Sequence, residues 1–154
     1  LIDPGSAAGL DGTISKAADS DSPWFGYYWN PTSMVGKYSL ISVDFGVPFA
    51  GRDNWDNCIT LAEQDCASPK PTAWTKSEVN SIVTANFAKS GGKEALSYVK
   101  KRTYPGEVMN GMLVYMADNQ AKGSDAAIEF LKQHEGVWSK WVSSAAAKKI
   151  KAGL

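Results

Sequence analysis

Five aromatic residues fall within six positions, in Trp24-Phe25-Gly26-Tyr27-Tyr28-Trp29. The faces of such rings carry negative electrostatic potential and attract cations, at about 0.5–2 kcal/mol per contact and more when dry. A quaternary ammonium has no N–H to donate, so hydrogen bonds cannot select it, but several aromatic faces around a permanent cation can. If the run is a strand, alternate side chains share a face. Tyr27 and Trp29 then point the same way, with Phe25 behind them, and Tyr28 points to the other side as core or interface. Asn30 can meet the polar end of a ligand or serve the turn that Asn30-Pro31 announces. The candidate ligand-binding residues are therefore Trp29, Tyr27, Tyr28 and Asn30. The competing reading of Trp29 is plain core packing, the commonest role of a tryptophan in an aromatic strand.

Several elements must position this run. Residues 6–18 read as a short helix, capped by Ser6, with Ala7, Ala8, Leu10 and Ile14 on a loose apolar face. Asp19-Ser20-Asp21-Ser22-Pro23 stops it. The aromatic run reads as a buried strand, and Trp29 would stand at its carboxyl end, where open α/β sheets bind ligands. A short helix is expected over 32–37, with Pro31 suited to its first turn. Strands are expected over 38–43 and 79–84. Between them, 46–75 is rich in Gly, Pro, Asn and Asp and reads as mostly loop. Helices follow over 93–101 and 105–120, the latter with Val108, Met109, Met112, Leu113 and Met116 in a 3.6 pattern. Gly123 is expected to end that helix and Ser124 to cap the next, and a last helix is expected over 137–150. Trp138 and Trp141 share a face of that helix and read as packing. The element order, with few strands and many helices, is lopsided for a self-sufficient sheet.

The bulk numbers exclude several classes. The chain has 154 residues, 44% hydrophobic and 21% charged, with six Trp. Lys plus Arg equals Asp plus Glu, so no long-range field draws it to nucleic acid or anionic lipid. No apolar run is long enough to span a bilayer. Leu1-Ile2-Asp3-Pro4-Gly5 lacks the pattern of an export signal, which is expected to have been removed or to lie upstream. Cys58 and Cys66 sit in the polar loop at a spacing that fits neither zinc nor redox motifs, and His134 is remote in sequence. The pair suits a disulfide in an oxidising compartment, against the alternative of two unpaired thiols. No cofactor, metal site or catalytic triad is indicated: G-x-S-x-G, H-E-x-x-H and Walker patterns are absent, and Asp44-Phe45-Gly46 stands without its kinase companions.

With the segment Gly26-Tyr27-Tyr28-Trp29-Asn30-Pro31-Thr32 in view, the chain resembles the glycine betaine, proline betaine and choline substrate-binding proteins of ABC importers. The resemblance includes Pro4-Gly5-Ser6-Ala7-Ala8, Lys37-Tyr38-Ser39-Leu40, and Ala127-Ile128-Glu129-Phe130-Leu131 followed by Glu135 and Trp138-Ser139-Lys140-Trp141. It implies that Trp29 is one wall of an aromatic box whose other walls lie outside these residues. It implies an α/β fold, part of a two-lobed periplasmic binding protein of type II-like form with a helix-rich C-terminal half. Residues 1–75 would carry the ligand-box strand and cysteine loop of lobe two. Residues 76–85 would form a crossover and hinge, and 86–154 a helical return into lobe one. The implied activity is non-enzymatic: capture of a quaternary ammonium compound in the periplasm or outside the cell, and delivery to an ABC permease for osmoprotectant or nutrient uptake. The membrane is met only through the permease, and the chain could pair or swap with a second copy. Two alternatives are a binding protein for another small amino-acid-like solute, with Trp29 structural, and an enzyme acting on choline-like substrates.

Overall fold

The computed structural model describes residues 2–75 and 77–154. Leu1, which opens the first expected region, and Lys76, which opens the expected crossover, lie outside them. Among the described residues the chain forms nine α-helical segments. They are α1 (Ala7–Asp19), α2 (Ser33–Tyr38), α3 (Arg52–Asn54), α4 (Ala85–Ser90), α5 (Lys93–Lys101), α6 (Gly106–Asp118), α7 (Gly123–Gln133), α8 (Glu135–Trp138) and α9 (Ser144–Ala152). A π-turn covers Trp55–Ile59, and 3₁₀ turns cover Glu63–Asp65 and Ser139–Trp141.

No strand or sheet forms among the described residues. The α/β class expected for the chain is thereby corrected to a helical one. Residues 24–29 and 79–84 are irregular, and in 38–43 Tyr38 closes α2 while the rest stays irregular. The physical reason lies in what β-propensity measures. Aromatic and β-branched residues favour a pleated surface flanked by neighbours, and without a neighbouring strand the main-chain N–H and C=O groups have no ladder to join. Val79 and Ile82 accordingly stand 97% and 92% exposed. The aromatic run is instead held through its side chains.

The chain divides into two compact units, Leu1–Ile41 with Ser81–Leu154, and Ser42–Asn80. In the first unit, Ser6 caps α1 by accepting from Gly9 N at 3.0 Å. That bond satisfies one of the four donors a helix start leaves open. Ile14 is buried on the inner face of α1. Thr32 caps α2 in the same way, accepting from Val35 N at 3.1 Å. The helix α2 packs on α6, and Gly36 lets it do so. A Cβ at Gly36 would stand 2.8 Å from Val114 Cγ2 and 3.0 Å from Asn110 O.

The core of this unit is Met112, Ala126, Phe130, Trp138 and Trp141. Trp138 donates from Nε1 to Leu131 O at 2.7 Å. The continuous helix expected over 137–150 is broken. Val142 is extended (φ −122°, ψ 168°), and Ser143 caps a new start at α9. The helix α7 begins at Gly123, one residue before the expected cap at Ser124, and Asp125 accepts from Lys122 N at 3.0 Å.

The second unit is built on side-chain contacts. Asn54 is buried and exchanges two hydrogen bonds with Lys70: Lys70 N donates to Asn54 Oδ1 at 3.0 Å, and Asn54 Nδ2 donates to Lys70 O at 3.2 Å. Trp55 is buried between Phe49 and the edge-on ring of Trp74. Cys58 and Cys66 are joined in a disulfide, with Cα atoms 4.7 Å apart.

Candidate functional site

The aromatic run lies along α1. Tyr28 donates its hydroxyl to Asp11 Oδ1 at 2.6 Å, and Trp24 donates from Nε1 to Thr13 Oγ1 at 3.0 Å. Both acceptors come from the second turn or so of a capped helix, so the run is fixed from one side by a rigid element. At its other end, Thr32 N donates to Asn110 Oδ1 on α6 at 2.9 Å. The segment between these anchors carries Tyr27, Trp29 and Asn30.

Within it, the ring of Tyr28 stacks on the indole of Trp29, with centroids 4.6 Å apart and planes at 19°. Tyr27 is tilted to the same indole at 6.2 Å. The strict alternation expected for a strand, with Tyr28 turned away from Trp29, does not hold. No ladder keeps the backbone pleated here, and consecutive side chains are able to stack. Trp29 is 45% exposed, whereas Trp55, Trp138 and Trp141 are buried. Tyr27 is 56% exposed. Asn30 is also exposed, with Nδ2 3.9 Å from where a Cβ would stand on Gly106, the first residue of α6. The cluster thus offers aromatic faces to solvent, with an amide beside them.

The Tyr28 phenol is held above the ordinary tyrosine range. Burial is the leading cause, followed by the bond to Asp11 and the charge of that carboxylate, while the Thr32 hydroxyl pulls the other way. At neutral pH the group is therefore a protonated donor.

Asp11 and Asn110 were not among the expected site residues. Each pairs with a residue far along the chain, 17 positions away for Asp11 and 78 for Asn110. No local pattern announces such a pairing. Cys58 and Cys66 lie in the other unit and leave no free thiol among the described residues. The same residues contain no group of three or more His, Cys, Asp or Glu able to hold a metal ion.

Away from the aromatic run, a concavity of about 540 Å³ opens between α6, α7 and the turn at Ser139–Trp141. Met109, Met112, Phe130, Trp138, Trp141 and Ile150 are among its walls, and it shares no residue with the aromatic run. Its walls belong largely to the core cluster. It is an incompletely closed core, without the convergent polar groups that orient a ligand.

Over residues 1–133 the chain matches the family described as the substrate-binding domain of an ABC-type glycine betaine transport system. The chain belongs to that family. No curated protein matches it significantly. The match supports a substrate-binding role of the glycine betaine type; the family is a transport family and not an enzymatic one, its members bind a small ligand and work with ABC permeases, and they generally act outside the cytoplasm. No helix among the described residues is long and apolar enough to cross a membrane.

Proposed function

We propose that this substrate-binding domain captures a quaternary ammonium compound, namely glycine betaine, proline betaine or choline, on the aromatic cluster around Trp29. The methylated ammonium lies against the faces of Trp29 and Tyr27. Tyr28 backs the indole, and Asn30 stands at the rim toward the polar end of the ligand. The domain works outside the cytoplasm and hands its ligand to the permease for osmoprotectant or nutrient uptake.

The observation that supports this reading is the state of Trp29. It is 45% exposed, yet its ring is held in a stack rather than left to rotate. A held, solvent-facing indole is what a cation without N–H groups requires, since the protein has then already met the entropic cost of ordering the ring. The family match supports the same ligand class.

Calorimetric titration of the protein with glycine betaine, proline betaine, choline and carnitine tests the proposal, repeated with Trp29→Ala. Binding to one of them is expected, weakened about tenfold or more by the substitution, the size of one good aromatic contact. Binding indifferent to Trp29→Ala, or binding to none of the four, would overturn it.

A further inference from the structure

We propose that Asp11 is a positioning residue of the ligand site: its carboxylate holds the Tyr28 phenol and, through that ring, sets the orientation of the Trp29 indole. The inference rests on the reading of Trp29 given above and adds to it a residue from a different element.

The chain of contacts is short. The Tyr28 hydroxyl stands 2.6 Å from Asp11 Oδ1, within the range of a hydrogen bond to an ionised acceptor, which is roughly twice as strong as a neutral one. The ring carrying that hydroxyl lies parallel to the indole, at 4.6 Å and 19°. Among the described residues no hydrogen bond is made by Trp29, and the rings of Tyr28 and Tyr27 lie beside its indole. Asp11 forms no ion pair among these residues either, and the phenol is the partner its carboxylate has. Its own position is secure, for it sits on the thirteen-residue α1, capped by Ser6 and anchored by buried Ile14.

Two effects follow from this geometry. A ring pinned at its hydroxyl cannot swing away from the indole, so less rotamer freedom is left to lose when ligand binds. A phenol donating to a carboxylate is also polarised, which enriches its ring in electron density and favours a cation near the stack. Asp11 thereby acts on the ligand through Tyr28 without needing to touch it.

The test is calorimetric binding of tetramethylammonium, the bare cationic group, and of glycine betaine to the protein and to Asp11→Ala, Asp11→Asn, Tyr28→Phe and the Asp11→Ala/Tyr28→Phe double variant. Asp11→Ala and Tyr28→Phe are each expected to weaken both ligands about three- to tenfold. The double variant should lose no more than either single one, because both remove the same bond. Asp11→Asn, which keeps an acceptor at the same place, should restore most of the loss. Asp19→Ala, at the far end of α1, controls for the charge of the helix. If Asp11→Ala does not fold, Tyr28→Phe, which removes only the hydroxyl, and Asp11→Asn carry the comparison.

Losses that multiply in the double variant, or an affinity within twofold of the parent in both Asp11→Ala and Tyr28→Phe, would sink the inference. If Trp29→Ala abolishes binding while these variants do not weaken it, the assignment of Asp11 alone fails. If the parent protein binds neither ligand, the reading of the site fails and takes the inference with it.

Discussion

The hydroxyl of Tyr28 joins two requirements in one atom. It must stay protonated to donate to Asp11, and burial and the neighbouring carboxylate both keep it so by raising its pKa above the usual 10.0. A group whose folded pKa lies above its unfolded one contributes stability fully below the unfolded value, and loses it as pH rises through the folded value. Urea denaturation across the alkaline range should therefore show stability falling above about pH 10 more steeply in the parent than in Tyr28→Phe. Equal slopes would mean that the phenol–carboxylate bond is not formed in solution. The residue types at this site are readable from the sequence as five aromatics in six positions. The donor–acceptor pair is not, because Asp11 on its own is an ordinary charge on a helix.

At the scale of elements, the helices follow local chemistry closely. Ser6, Thr32 and Ser143 each cap a helix with their hydroxyl, and Lys93–Lys101 forms over the span that its apolar spacing indicates. Departures occur where packing overrides the local pattern. The break at Val142 separates the Trp138 and Trp141 turns, both buried in the core, from α9. The contact of α2 with α6 depends on Gly36, whose missing Cβ makes room for Val114 and the Asn110 carbonyl. Gly36→Ala should cost about 1–3 kcal/mol by overpacking, seen as a lower denaturation midpoint with the helical signal retained. Since Asn110 also holds Thr32 N at 2.9 Å, the same substitution is expected to weaken ligand binding. A fully neutral Gly36→Ala would show that the two helices separate freely.

At the scale of the molecule, the two units are stabilised by different means. The helical unit has a cluster of large apolar side chains led by Trp138, which is 2% exposed. The unit Ser42–Asn80 has little regular structure and relies on Trp55, the Asn54–Lys70 pair and the Cys58–Cys66 bond. Closing so short a loop stabilises by roughly 2–3 kcal/mol on the chain-entropy account. Reduction of the disulfide, or Cys58→Ser with Cys66→Ser, should therefore lower hydrogen-exchange protection within 42–80, around Trp55 above all. Unchanged protection there would mean that the aromatic packing suffices alone.

The cap at Ser6, the span of Lys93–Lys101, the family resemblance, a disulfide favoured over two free thiols and the aromatic segment are legible along the chain, whereas the starts of α7 and α9 are not. A capping hydroxyl lies within three residues of the N–H it accepts from, an amphipathic face repeats every turn, and a run of consecutive rings is visible as consecutive letters. Tertiary structure alone decided the rest. Whether 24–29 becomes a strand depends on a partner to pair with, and among the described residues none does. Which face of Trp29 is covered depends on Tyr28, and where Tyr28 stands depends on Asp11, a contact between positions that only the folded chain brings together.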